Sequence, residues 1–223
     1  MGGSSLENVE LVVRTIAETA VENEKYFGDL DAVVGDGDFG YSMARGFELV
    51  LSDFDTFDRS DIGTFLKKIA VVITGRIGGT SGPIWGTAFI RAGTSAAGKT
   101  ELTTEDTIAM LRAAIEGIKQ RGQSDLGDKT LLDALVPAVD VLEEELNQGN
   151  HVTEALARAA ITARERAEAT KEMLAKRGRA AYTGERSIGT LDAGAVAVAV
   201  MLERLTTVWA AQDPTTWAAD DQG

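Results

Sequence analysis

The 223-residue chain has no cysteine and a single histidine, His151. The first absence excludes a disulfide scaffold, a thiol nucleophile and Cys-ligated zinc or iron–sulfur sites. The second excludes a multi-histidine metal centre. Proline is scarce, with 3 residues, so few positions force a break in a long helix. Positive charge is in the minority, and 22 Lys and Arg against 35 Asp and Glu leave a net charge of −13. That balance argues against non-specific binding to nucleic acid or to an anionic membrane. No apolar run approaches the about 20 residues of a membrane span, and residues 1–6 lack the basic and apolar regions of a secretory signal. The expectation is a cytoplasmic protein with no nucleic-acid and no membrane partner. A composition of 44% hydrophobic and 26% charged residues is that of a folded globular chain, and the length suits one domain.

What the chain does have is long stretches of helical periodicity separated by bunched glycines. Val9, Val12, Val13, Ile16, Ala20 and Val21 share one face of a helix predicted from Leu6 to about Phe27. Further helices are predicted over about 40–52, from Asp61 through Ile73, from about Ser81, from Thr103 with a capping pattern to Asp106, over about 130–147, over about 153–176, and from Ala193 to about Trp209. The last is apolar nearly all round, which predicts a central position. Strand patterns are almost absent. The one β-branched run, Val71–Thr74, lies within a helical pattern. The fold class is therefore all-α, with about eight amphipathic helices. The division is a disordered N-terminus over 1–5, one helical domain over 6–210 and a C-terminal tail over 211–223.

Three segments carry chemistry. In Asp31-Ala-Val-Val-Gly-Asp36-Gly-Asp38-Phe-Gly40, three carboxylates fall within eight residues at a helix junction. Glycines alternate with Asp36 and Asp38, so the backbone can fold tightly there. Carboxylates without nearby His or Cys suit a hard cation, and Mg²⁺ takes one or two carboxylates plus phosphate oxygens and water. Three crowded acids repel unless a cation sits among them. An Asp-Gly turn with no ligand is the bland alternative, and the register of an EF-hand does not fit. The second segment, Gly78-Gly-Thr80-Ser81-Gly-Pro83, opens a predicted helix and offers N–H groups and hydroxyls to an anion; a simple N-cap is the alternative. The third runs from Arg158 to Arg186, with eight basic residues against four Glu in an otherwise acidic chain. Most of these residues suit a solvated helix face, whereas Arg179 and Arg186 flank a glycine-broken loop.

One pattern misleads. Gly93-Thr-Ser-Ala-Ala-Gly98-Lys99-Thr100 satisfies the P-loop spelling. A P-loop needs a strand before it and a helix beginning inside it. Here the preceding residues read as a helix end with Gly93 as C-cap, and the next helix starts near Thr103. His151, just before a helix, reads as a surface residue without a role.

Five stretches together resemble the nucleotide-binding subunit of dihydroxyacetone kinase: Asp31…Gly35-Asp36-Gly37-Asp38, Gly79-Thr80-Ser81-Gly82-Pro83…Gly86, Arg121-Gly122…Gly127-Asp128-Lys129-Thr130…Asp133, Gly178-Arg179, and Gly184-Glu185-Arg186-Ser187…Asp192-Ala193-Gly194. They span nearly the whole chain in the family's order. The resemblance implies an eight-helix antiparallel barrel with a nucleotide, ADP or ATP, at one end. It implies that Asp31, Asp36 and Asp38 hold two Mg²⁺, with Asp36 and Asp38 acting in catalysis through the metal. Phe39, Gly40, Tyr41, Ser42, Thr80 and Ser81 would line the phosphates. Gly122, Leu131, Arg179, Asp192, Ala193 and Gly194 would contact the rest of the nucleotide. In the family the short hydroxyketone substrate sits on a separate substrate-binding kinase subunit, bound through a histidine there. A phosphocarrier subunit serves the phosphoenolpyruvate-dependent branch, and a homodimer is compatible. Where the family usually has His, Pro and His, this chain has Phe39, Ala193 and Thr190. The expectation is thus a kinase subunit inactive alone. The alternatives are a non-catalytic nucleotide-bound regulatory subunit and a P-loop ATPase through Gly93–Thr100.

Overall fold

The computed structural model describes residues 5–212. Among them there are nine α-helices: α1 (Ser5–Glu22), α2 (Glu24–Ala32), α3 (Asp38–Ser52), α4 (Ile62–Arg76), α5 (Ser81–Ser95), α6 (Thr104–Gly122), α7 (Leu132–Asn147), α8 (Val152–Ala169) and α9 (Ala193–Gln212). Short 3-10 segments complete the described secondary structure, at Phe54–Thr56, Thr170–Glu172 and within Arg179–Ser187, where Gly184 at φ 58° and ψ −133° breaks the helix.

Eight of the helices form a closed ring. Starting from α1, each packs on the next in the order α3, α4, α5, α6, α7, α8, α9, and α9 returns to α1. The helix left over, α2, lies across α3 and touches α9. Consecutive neighbours run antiparallel, most of them joined by short loops, with a longer segment between α8 and α9 and with α2 between α1 and α3. The expected eight-helix barrel is therefore present, with α2 added at one end. Its interior is filled by Val13 and Ala17 from α1, Phe47 from α3, Ile69 and Ile73 from α4, and Val196 and Ala199 from α9. Each is nearly or fully buried, and burial of such side chains stabilises by about 1.5–3 kcal/mol for the larger ones.

Local chemistry sets the helix starts. The Asp61 carboxylate accepts from Thr64 N–H at 3.0 Å, capping α4, and from Gly98 N–H at 3.0 Å, tying the α5–α6 loop to the same point. Thr103 and Asp106 form the expected capping box at α6. His151 does have a role, since its side chain caps α8 by accepting from Thr153 N–H.

Several boundaries differ from expectation. The first predicted helix is two, broken at Asn23, whose φ of −103° and ψ of 17° leave the helical region. Ser5 belongs to α1, and its hydroxyl donates to Glu101 at 2.7 Å. The segment from Asp38 is already helical, and Thr130 precedes α7. The seventh helix stops at Ala169, well short of Lys176. Gly93 is not a C-cap; it is buried inside α5, which continues to Ser95. A Cβ on Gly93 would lie 2.8 Å from the Gly63 carbonyl oxygen, so the glycine serves the close crossing of α4 and α5. Contrary to the expectation that no segment approaches a membrane span, α9 is long and apolar enough by length and composition. Its buried Ala195, Val196, Ala197, Val198 and Ala199 and its packing on α1, α7 and α8 make it a core helix of the barrel. The assigned ends, 1–4 and 213–223, lie outside the described residues; α9 itself extends through Ala211 and Gln212.

Candidate functional site

Helices α3, α5, α7 and α9 all begin at one end of the barrel, where α2, α4, α6 and α8 end. The positive ends of four helix dipoles therefore point the same way. The acidic loop lies on this end. Gly37 adopts the left-handed conformation, φ 74° and ψ 8°, and starts α3. Gly40 lets α2 and α3 touch, since a Cβ there would sit 2.0 Å from the Glu24 carbonyl oxygen. Asp31, in the last turn of α2, accepts from Phe39 N–H at 3.4 Å. A Cβ on Gly35 would fall 2.3 Å from Asp31 Oδ1, so the glycine leaves the cradle in which that carboxylate folds back. Asp38 accepts from the buried Ser42 hydroxyl at 2.8 Å.

The second segment meets the first. A Cβ on Gly78 would lie 3.1 Å from Ser42 Oγ and 3.8 Å from Asp38 Oδ2. Gly79 takes φ 61°, and the exposed Thr80 stands at the N-cap of α5 without a side-chain cap bond. The third segment reaches the same place. Arg179, from the segment between α8 and α9, makes an ion pair with Asp36. The sequence reading gave Arg179 to the remoter part of a nucleotide; here it stands on the acidic loop itself. Phe39 turns its ring onto Phe27, centroids 6.1 Å apart, so at position 39 the backbone faces the acidic loop. Tyr41 is exposed, with Arg45 over its ring at 5.4 Å.

The remaining candidates lie at two further helix junctions. A Cβ on Gly122 would meet Ile84 Cδ1 at 3.0 Å, bringing the end of α6 to the start of α5. A Cβ on Gly194 would lie 3.3 Å from Leu131 Cβ, joining the starts of α7 and α9. Asp192 caps α9 by accepting from Ala195 N–H at 2.7 Å. Burial pushes its carboxyl up to about 7, and the charges of Asp133 and Asp31 add to the rise against the Ala195 N–H and Lys129. Ala193 is the first residue of α9.

The donor set fits a hard cation. Asp31, Asp36 and Asp38 offer only oxygen, and Arg179 already supplies positive charge to one of them. Among the described residues, no three His, Cys, Asp or Glu side chains converge as a preformed cation cage. Mg²⁺ does not require such a cage, since it keeps waters and shares phosphate oxygens. The P-loop reading fails on structure. Gly93–Thr100 spans the last turn of α5 and the loop after it, and Lys99 pairs with Asp106 at 3.0 Å.

Sequence reasoning passed over one residue. Lys129 is 3% exposed and takes φ 62°, rare for a lysine. Its ammonium donates to the carbonyls of Met173 at 3.2 Å, Ser187, and Thr190 at 2.8 Å. The quoted Gly-Asp-Lys-Thr stretch was the available signal, but it does not reveal backbone partners so far along the chain.

With that geometry, the comparisons with known proteins agree. The DAK2 domain matches residues 33–207. The chain is 39% identical over 181 residues to the PEP-dependent dihydroxyacetone kinase, ADP-binding subunit DhaL, of Escherichia coli (strain K12), covering 81% of this chain and 86% of that protein. It is 35% identical over 188 residues to the corresponding subunit of dihydroxyacetone kinase 1 of Listeria innocua, covering 84% and 89%. The crystal structure of the dihydroxyacetone kinase from C. freundii in complex with AMP-PNP and Mg²⁺ superposes with a TM-score of 0.72 at 26% identity, over 90% of this chain and 34% of that one. The chain thus spans about a third of that kinase. Fold, motif order and these likenesses agree that the chain belongs to the DAK2 domain family, as a chain of the DhaL type.

Proposed function

We propose that the chain is the nucleotide-bearing subunit of a dihydroxyacetone-type kinase, holding ADP or ATP with Mg²⁺ and passing a phosphoryl group to a short hydroxyketone on a partner subunit. The observation that carries this is the meeting of three segments at one barrel end: the Asp31–Asp38 loop, the Gly78–Ser81 turn, and Arg179. The Gly79–Ser81 N–H groups and the α3 and α5 dipoles would cradle phosphate oxygens. Asp31, Asp36 and Asp38 would hold two Mg²⁺, which supply charge neutralisation to the phosphates when bound. Gly122 beside Ile84, and Gly194 beside Leu131, would offer apolar contacts to a base. Division of labour with a substrate-binding subunit is supported by this chain's having no histidine except His151, which caps α8. A phosphocarrier subunit as a third partner, a homodimer, and a cytoplasmic setting belong to the same reading, as does a single functional unit over about 6–210.

The test is thermal. Mg²⁺ with ADP should raise the melting temperature by several degrees, since about 100-fold saturation adds about 2.7 kcal/mol. Either alone should do much less. Equal stabilisation by ADP with EDTA present would overturn the metal-bridged site.

A further inference from the structure

The segment between α8 and α9 is long, basic and irregular, yet it is fastened at its base. The amide of Gly189 donates to the Lys171 carbonyl at 2.7 Å, bringing the two ends of the segment together. Ala175 N–H donates to Ser187 Oγ at 3.0 Å, a second cross-link at the neck. Beyond this neck the chain carries Arg179 to the acidic loop and exposes Tyr182 almost completely.

The fastening is built from the other side by two adjacent residues in the turn before α7. Asp128 takes the outer strand of the segment. Its carboxylate pairs with Lys176 at 3.3 Å and with Arg177 at 3.2 Å, and its carbonyl accepts from Lys176 N–H at 3.1 Å. Lys129 takes the inner face with the three carbonyl bonds to Met173, Ser187 and Thr190, and reaches Thr190 Oγ1 at 3.3 Å. Three ammonium donors meet three carbonyl acceptors with no carboxylate in hydrogen-bond contact. The turn that carries this pair is itself fixed to α7. The buried Asp133 carboxylate accepts from Gly127 N–H at 2.6 Å and Thr130 N–H at 2.8 Å. That bracing is what holds a lysine at φ 62°, a conformation that costs about 1–3 kcal/mol when unsupported.

From this arrangement we infer that Lys129 is a positioning residue for nucleotide binding: it clamps the neck of the 171–190 strap and thereby holds Arg179 over the acidic loop. The inference rests on the proposed reading of that loop as the phosphate and metal site. Removing the ammonium leaves the Met173 and Thr190 carbonyls without this donor and the Ser187 carbonyl with the Thr190 hydroxyl, 2.7 Å away, as its remaining side-chain donor, so the neck loses its inner cross-link and keeps the Gly189–Lys171 and Ala175–Ser187 bonds. Arg179 then sits on a more loosely held strap, and its approach to Asp36 costs more chain entropy.

The test is a double-mutant cycle on Mg²⁺–ADP affinity by titration calorimetry, using the full chain. Lys129→Met keeps length and removes the charge. Lys129→Met and Arg179→Ala should each weaken binding by about tenfold, the scale of a lost charge-assisted hydrogen bond. The double variant should be no weaker than Arg179→Ala alone, because Lys129 acts only through Arg179. Trypsin should also cut Lys129→Met faster within 171–186, where five Lys and Arg residues lie. Additive losses, or a folded Lys129→Met with unchanged affinity and cutting, would overturn the clamp. Should Lys129→Met not fold, hydrogen exchange on the unaltered protein decides. The neck amides of Ala175 and Gly189 should be protected like helix cores while residues 180–183 exchange fast, and equal exchange across the strap sinks the proposal. If the unaltered protein does not bind Mg²⁺–ADP, the site reading fails, while exchange and proteolysis still judge the clamp.

Discussion

Arg179 stands on Asp36, so the segment between α8 and α9 closes onto the loop between α2 and α3. Both side chains are substantially exposed, at 62% and 42%, and a pair in that setting contributes at most about 1 kcal/mol to stability. Its importance is positional: it brings a guanidinium to the carboxylates that this reading assigns to metal.

Asp36→Asn keeps the shape of the loop and removes one formal charge. It should weaken Mg²⁺–ADP binding by about 30- to 1000-fold, or about 2–4 kcal/mol. Calorimetry checks it, and an unchanged affinity would remove Asp36 from the site.

Lys99→Ala separates the present site from a P-loop. Lys99 pairs with Asp106 across the start of α6, far in function from any phosphate in this reading. ADP affinity should change by less than about 0.5 kcal/mol, as for an ordinary surface substitution. Collapse of binding in this variant would reinstate the P-loop.

Gly40→Ala should be strongly destabilising. The added methyl would lie 2.0 Å from the Glu24 carbonyl oxygen and 2.5 Å from Gly28 N, both backbone atoms that cannot rotate away. Overpacking of this kind costs about 1–3 kcal/mol or more, and urea titration should show the midpoint moving down with an unchanged slope.

The raised Asp192 carboxyl makes stability depend on pH. In the unfolded chain it titrates near 3.8 and in the folded chain near 7. Between these values the folded state binds the extra proton, so metal-free protein should lose stability as pH rises through this window, by at most about 1.4 kcal/mol per unit, and then level off. Asp192→Asn should lack that slope. Parallel melts of both proteins from pH 4 to 8 in EDTA decide it, and identical slopes would show that Asp192 titrates normally.

The isolated chain should not phosphorylate dihydroxyacetone. Turnover near 1 s⁻¹, typical of enzymes, without an added substrate-binding subunit would refute the divided labour.

Much of the barrel was legible because amphipathic helices announce their buried face every three to four residues. The Thr103 cap, the helix opening at Asp61 and the Val71–Thr74 stretch within α4 followed from local chemistry. The Asn23 break was not legible, since no proline or glycine marks it. Gly93 misled for the opposite reason: a glycine normally ends a helix, but this one lets α5 lie against Gly63. In the site, Asp31, Asp36 and Asp38 stood out by crowding, and Thr80 and Ser81 by their place before a helix. That Arg179 would meet Asp36 could not be read, because nothing in a linear pattern says where a glycine-broken loop comes down. Lys129 stayed hidden because its partners are carbonyls, which every residue has.

The ring closes between α1 and α9, the first and the last of the described helices in chain order. A ribosome adds about 5–20 residues each second, so the apolar face of α1, with Val13 and Ala17, waits some ten to forty seconds for the helix that covers it. During synthesis the barrel is an open trough with a greasy rim, and its final closure is a long-range event of the kind that slows folding.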